Sequence, residues 1–315
     1  MKHLLVLALF VLTPIAQAQT PAPIQVETFT YKTVGDLEIK LDVHRPDDTE
    51  IRPLAIWIHG GALINGSRKG IGPARRLLDH GFCVVTIGYR LAPESKLPDI
   101  ISDLEDAFVW IRKNGREKFN ADTSKIAVIG GSAGGYMALT SGFRVDPPPT
   151  VIVAYWGYGD LVTSWMTDPS PHASHKNRTP LSDTEMAKIE AGPAISDPAN
   201  RKGDGSAYYG TTRQQGNWPE KVAGFPEPEV EKFYPYMAVK NVTPSYPPTL
   251  LIHGTEDTDV PHLQSEMMVR EFKKHGVEYE FISVNGGEHG LAGAKREDIN
   301  AAHEKLVPFV LKWMR

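Results

Sequence analysis

Residues 126–136 read Ile-Ala-Val-Ile-Gly-Gly-Ser-Ala-Gly-Gly-Tyr. The apolar run Ile126 to Ile129 has the length and composition of a short buried strand, and Ser132 to Phe143 is rich in good helix formers. Gly130-x-Ser132-x-Gly134 therefore falls at a strand-to-helix junction. A sharp turn there strains the serine backbone and lifts its hydroxyl off the top of a sheet. Glycines two before and two after are required because any side chain would clash inside the turn. The helix that follows presents its N-terminus, which favours developing negative charge. The spacing alone arises by chance in glycine-rich chains; its position between strand and helix makes Ser132 a candidate nucleophile.

The same alternation extends in both directions. Thr28 to Val34 and Leu37 to Val43 flank Gly35-Asp36 and read as an opening antiparallel hairpin. Leu54 to Ile58, Cys83 to Ile87, Val151 to Trp156, Thr249 to Ile252 and Tyr279 to Val284 read as strands. Helical spacing of Ile101, Leu104, Phe108 and Ile111 predicts a helix over 97–114, closing at Asn114-Gly115. Further helices are expected over 262–275 and from about Asp298 to Trp313. Strands separated by helices in this way imply a mainly parallel sheet covered on both faces, an α/β architecture. The stretch from Tyr158 to Tyr246 breaks the rhythm. It is dense in Pro, Gly and polar residues, has one short helical candidate over 181–191, and reads as a cap inserted over one end of the sheet. Its aromatics are expected mostly to hold the cap together, a few of them to line a pocket.

Two further motifs complement the serine. Ile58-His59-Gly60-Gly61-Ala62 follows a strand directly, where glycines let backbone N–H groups approach a ligand. The amides of Gly61 and Ala62, with that of Ala133, are the expected donors to a tetrahedral oxyanion. His59 is better suited to ordering this loop by hydrogen bonding than to acting as a base. With a Gly-x-Ser-x-Gly turn the chain order is serine, acid, histidine. Asp257 in Leu250–Pro261 (LLIHGTEDTDVP) lies just beyond a strand end, with Glu256 and Asp259 as competitors for the acid. His289, in Gly286-Gly287-Glu288-His289-Gly290 after the last strand, is the expected base. It would take the serine proton and return one to the leaving group, while the acid holds its tautomer.

Together these segments resemble the α/β-hydrolase superfamily, and within it esterases similar to hormone-sensitive lipase. The resemblance runs from about Leu41 to the C-terminus and is weakest in the cap. It is carried by HGGAL at 59–63, YRLAPE at 89–94, GGSAGG at 130–135, HGTEDTDVP at 253–261 and GEHG at 287–290. In the family these are the oxyanion loop, a structural segment, the nucleophile, the acid and the base. Ala62 stands where the family usually has a third glycine, and Gly131 where it often has Asp. HGGAL followed by Asn65-Gly66-Ser67 also looks like the branch of acetylxylan and feruloyl esterases and peptidase-like hydrolases. The implied fold is a mainly parallel sheet flanked by helices, with residues 19–315 forming a single domain and the cap inserted at about 158–246.

The remaining composition narrows function further. The chain has 315 residues and a formal charge of −4, which gives no electrostatic argument for nucleic acid or acidic lipid. One cysteine, Cys83, cannot form an intramolecular disulfide and reads as a small core residue. Asp168, His172, His175 and Asp183 read as solvated cap surface rather than a metal site. The Glu256, Asp257 and Asp259 group lacks the spaced oxygen ligands of a calcium loop. The glycine-rich strand exits lack a nucleotide motif, so no cofactor is expected. Lys2-His3, the apolar run Leu4 to Leu12 and Ala16-Gln17-Ala18 predict a secretory leader over residues 1–18, cleaved after Ala18. No membrane anchor is expected, and the location implied is secreted or periplasmic. The expected activity is hydrolysis of short-acyl or carbohydrate-linked carboxylic esters, on a small-molecule or oligosaccharide substrate, through an acyl-enzyme on Ser132. Amide or peptide cleavage by the same residues is the nearest alternative, and an inactive hydrolase fold used for binding is a more distant one.

Overall fold

Apolar β-branched runs bounded by glycine and proline assemble into one eight-stranded sheet. The computed structural model describes residues 23–225 and 229–315, so the expected leader at 1–18 lies outside the described residues. In chain order the strands are β1 (Ile24–Val34), β2 (Leu37–Pro46), β3 (Arg52–Ile58), β4 (Cys83–Ile87), β5 (Ala121–Gly131), β6 (Val151–Tyr155), β7 (Thr249–Gly254) and β8 (Tyr279–Val284). Across the sheet they run β1-β2-β4-β3-β5-β6-β7-β8. The expected hairpin is formed, with Val34 opposite Leu37. β2 meets β4 antiparallel, and every pairing from β4 to β8 is parallel.

Both faces of the inner parallel strands are buried, as crossover helices require, while the edge strand β8 is partly exposed. Leu54, Ile56 and Ile58 of β3 enter one core, and Ala55 and Trp57 enter the other. The first core is closed by helices Leu97–Phe119, Ala133–Arg144 and Leu263–His275. The second lies under Arg75–Leu78, Arg296–Glu304 and Leu306–Met314. Cys83 is a fully buried member of the first.

β1, β2, β3, β5 and β7 extend two or more residues beyond the expected bounds, and three other boundaries differ for identifiable reasons. The first long helix overruns Asn114-Gly115 and ends at Phe119, where Asn120 turns left-handed at φ 52°. A Cβ on Gly115 would stand 2.7 Å from Thr123 Cγ2, so this glycine permits close packing and does not mark a stop. Burial of Phe119 outweighs the roughly 1 kcal/mol propensity cost of an interior glycine. The final helix is two helices, because Pro308 lacks an N–H and its ring would clash with the carbonyl of Glu304. β6 ends at Tyr155, and Trp156 (φ 36°) carries the chain away from the sheet.

The largest departure lies between β6 and β7. Asp183–Glu190 forms near the expected place, started by a reciprocal Ser182/Glu185 capping box. Five further α-helices accompany it in the described residues: Ser164–Thr167, Ala173–Lys176, Gly205–Gln215, Trp218–Ala223 and Ala238–Asn241. The longest begins where the Asp204 carboxylate accepts from the amides of Ser206 and Ala207. Packing supplies what intrinsic propensity does not. Tyr158 stacks on Tyr136 of the sheet-covering helix at 4.9 Å and receives Trp165 edge-on at 5.2 Å. Tyr158, Tyr208, Trp218 and Phe233 are all buried.

Candidate active site

Strand ends deliver the candidate residues. At the end of β5 the chain reverses into helix Ala133–Arg144, and Ser132 is held at φ 56°, ψ −124°. A non-glycine residue there costs about 1–3 kcal/mol, which the surroundings must supply. They do so through a Ser132 N–H bond to the Tyr155 carbonyl (2.9 Å) and a Tyr136 N–H bond to the Ser132 carbonyl (3.0 Å). The flanking glycines are sterically demanded. A Cβ on Gly130 would lie 2.0 Å from the Gly134 oxygen, and one on Gly134 would lie 2.1 Å from the Ile58 oxygen.

His289 follows β8, and Asp257 follows β7. With the proton on Nδ1, His289 donates to Asp257 Oδ2 at 2.8 Å, and its Nε2 accepts from Ser132 Oγ at 3.0 Å. The other oxygen of Asp257 accepts from the Asp259 and Val260 amides at 3.0 and 2.8 Å. His253 Nε2 stands 3.3 Å from Asp257 Oδ2 and donates to the Val260 carbonyl, while its Nδ1 accepts from Ser265. Burial alone would raise the Asp257 pKa, but the hydrogen bonds from His253 and His289 outweigh it and hold the carboxyl at about 2. For His289 burial works downward; the Asp257 hydrogen bond and the charges of Asp257, Asp259 and Glu288 overcome it and raise the imidazole above its ordinary value. Glu256 is exposed, whereas Asp259 Oδ2 lies 4.0 Å from His289 Nε2, on the opposite ring nitrogen from Asp257.

The loop after β3 packs against the same serine. A Cβ on Gly60 would meet the Gly131 oxygen at 2.6 Å and Ser132 Cβ at 3.1 Å. Gly61, Ala62 and Leu63 all have positive φ, at 112°, 59° and 63°. Amides of Ile64 and Asn65 close this turn onto the Gly61 carbonyl. Ala62 thus occupies a left-handed position that an alanine side chain disfavours. Ala133 opens its helix, so its N–H has no acceptor within the helix. His59 stacks on Tyr89 at 4.3 Å, its Nδ1 lies 2.9 Å from the Gly60 carbonyl, and burial pulls its pKa down to about 4. It is a loop-ordering side chain.

The region between β6 and β7 contributes residues that the motifs do not disclose. Trp156 faces the His289 ring edge-on at 6.3 Å. Tyr209 donates to Asp259 Oδ1 at 2.7 Å. His175 does not lie on solvated surface as expected: it is 3% exposed, bonded to Ser170 Oγ, and its Nε2 stands 3.8 Å from Asp259 Oδ1. His172 approaches Glu288 Oε2 at 3.8 Å, while Asp168 and Asp183 are exposed. Among the described residues no group of three or more His, Cys, Asp or Glu side chains could hold a metal ion. Arg201 forms a bidentate pair with Glu94 (2.7 and 2.8 Å) and donates to the carbonyls of Ile64 and Ala92. This ties the region between β6 and β7 to the loop after β3 and explains YRLAPE as an anchor. A cavity of about 570 Å³ borders Asp257 and Thr258, walled by Trp165, Pro169, Pro171 and Gln264.

Comparison with known proteins agrees with this architecture. The BD-FAE family matches residues 41–148, and the prolyl oligopeptidase family matches residues 191–315. A protein of unknown function from Staphylococcus aureus subsp. aureus Mu50 superposes with a TM-score of 0.71 at 21% identity, covering 92% of this chain and 100% of that one. The propionate-bound esterase Est2 of Thermogutta terrifontis superposes with a TM-score of 0.64 at 19% identity, covering 91% and 94%. The chain has the α/β-hydrolase fold. Among curated sequences it is similar to the non-reducing polyketide synthase Preu6 of Preussia isomera, 28% identical over 320 residues. It is also similar to the non-reducing polyketide synthase ausA of Aspergillus calidoustus, 29% identical over 330 residues. These alignments cover 90% and 88% of this chain, which spans only 14% and 13% of those relatives.

Proposed function

We propose that the protein is an exported serine hydrolase that cleaves carboxylic esters through an acyl-enzyme on Ser132. The observation that carries this reading is the unbroken line Asp257–His289–Ser132, with contacts of 2.8 and 3.0 Å, mounted on a strained strand-to-helix turn. His289 removes the serine proton as Oγ attacks the ester carbon. The resulting oxyanion is met by the amides of Gly61, Ala62 and Ala133, whose fixed dipoles need no reorganisation as charge develops. The imidazolium, stabilised by Asp257, protonates the departing alcohol. Water then enters, His289 acts again as base, and the acyl group leaves as a carboxylic acid.

Short acyl groups fit best, on alcohols that include carbohydrates. The region between β6 and β7 is polar outside its aromatic core and offers a long acyl chain little apolar surface. Likeness to the propionate-bound esterase supports a small acyl group. The prolyl oligopeptidase match favours one other reading, amide cleavage by the same residues. The test is kcat/KM across p-nitrophenyl acetate, butyrate, octanoate and palmitate, beside acetylated xylo-oligosaccharides, methyl ferulate and an alanyl p-nitroanilide. Acetate or butyrate should lead, and activity should fall steeply by octanoate. Preference for palmitate would overturn the chain-length reading, and preference for the anilide would replace the ester reading with the amide one.

A further inference from the structure

Asp259 is two residues beyond the acid of the site, and its carboxylate is built into the site as firmly. Its amide donates to Asp257 Oδ1 at 3.0 Å, so both side chains hang from one rigid turn. Oδ1 is claimed from the inserted region: Tyr209 donates to it at 2.7 Å, and Arg213 and His175 stand at 3.9 and 3.8 Å. That grip fixes the carboxylate plane and leaves Oδ2 4.0 Å from His289 Nε2. Nε2 is the nitrogen that hands a proton to the departing alcohol, so the ester oxygen must lie within hydrogen-bond reach of it. Oδ2 therefore borders the position of the alcohol, not that of the acyl group. An acceptor here adds a further negative group to a site that already holds Asp257 and Glu288. Holding Tyr209 would not require the charge, because a neutral amide oxygen accepts the same bond; the buried Arg213 guanidinium balances it from the Oδ1 side, and Oδ2 is the oxygen left towards His289.

We propose that Asp259 is a specificity-determining residue that accepts a hydrogen bond from a hydroxyl on the carbon next to the one bearing the ester oxygen. The proposal rests on the ester-hydrolase reading and deepens it. Neighbouring oxygens of a vicinal diol sit about one hydrogen-bond length apart. One can therefore occupy the proton-transfer position at Nε2 while the other donates to Oδ2 at ~2.6 Å. Esters of simple alcohols leave Oδ2 unpaired beside the substrate, which is costly in a desolvated site.

The test compares two acetates, 2-hydroxyethyl acetate and 2-methoxyethyl acetate; the second keeps the ether oxygen, loses the donor and gains one methyl group, a difference in bulk that the variant comparison cancels. In the native protein kcat/KM should favour the hydroxyethyl ester by ~10- to 100-fold, the range expected of a hydrogen bond to a charged acceptor. In Asp259→Asn the Tyr209 hydroxyl keeps the amide oxygen and the NH2 group takes the place of Oδ2, so the acceptor is lost and the ratio should collapse towards one, whatever the absolute rates. A purely structural or general electrostatic role would alter both esters together and leave the ratio intact. A native ratio near one overturns the proposal without any variant, and so does a ratio that survives Asp259→Asn. Failure to hydrolyse either ester, with p-nitrophenyl acetate also untouched, overturns the ester-hydrolase reading itself and this inference with it.

Discussion

The strand-end loops and the region between β6 and β7 meet at one site but are built by different physics. Each strand-end loop is fixed chiefly by its own backbone and that of the adjoining strand ends. Ser132 is held by its neighbours' lack of side chains, Asp257 by amides two and three residues on, and His289 by a loop two residues beyond a glycine pair. The region between β6 and β7 is held by distant partners, through Arg201 on Glu94, Tyr209 on Asp259 and Tyr158 on Tyr136. Backbone constraint holds the candidate residues, and side-chain contacts hold the wall around them. Changes to the loops should therefore remove activity from an intact fold, while changes to the wall's anchors should cost stability.

The largest effect is expected in the loops. Ser132→Ala should lower kcat by ~10⁴ or more with an unchanged thermal midpoint, and His289→Ala by about as much, because the two act as one unit. Asp257→Asn should be milder but still large, and more damaging than Asp259→Asn. The reverse order in steady-state kinetics would make Asp259 the acid and dismantle the arrangement described above.

On the wall, Arg201→Ala should act in the opposite sense. It strands the carboxylate of Glu94, whose side chain is 2% exposed, and loss of one member of a buried pair costs ~3–5 kcal/mol. Thermal denaturation should show a drop of several degrees, with Arg201→Lys in between because lysine cannot bond bidentately. An Arg201→Ala midpoint within a degree of the native one would show that the pair is not what anchors the region.

These two regions also differ in how far the sequence discloses them. Gly130-x-Ser132-x-Gly134 is legible because the turn dictates its own spacing, and all eight strands are foreshadowed by apolar runs bounded by turn residues. The exceptions arise where packing overrides local preference, as at Gly115, or where one residue breaks a periodic run, as at Pro308. The helix Gly205–Gln215 has poor intrinsic propensity and is stabilised by burial of Tyr208 and Arg213 among residues far away in sequence. No spacing rule links Tyr209 or His175 to Asp259. The one usable signal was HGTEDTDVP itself, where a second aspartate stands in the acid loop and needs partners of its own.

A smaller effect joins the two regions. His289 must be neutral to accept the serine proton, so kcat/KM should rise with pH through its pKa. The surrounding carboxylates raise that pKa, and the midpoint should lie above the ordinary ~6.5. Asp259→Asn removes one negative charge, destabilises the imidazolium, and should move the midpoint to lower pH. A midpoint that stays fixed, or moves up, would mean that Asp259 does not act electrostatically on His289.

The central claim is that Ser132 is a nucleophile activated by His289. Intact-mass and peptide mass spectrometry after treatment with a serine-reactive fluorophosphonate tests it most directly. The account predicts one stoichiometric adduct on Ser132 in the native protein, lost in Ser132→Ala and formed far more slowly in His289→Ala. An unlabelled Ser132 in protein that still turns over ester, or an adduct that forms equally fast without His289, would contradict it.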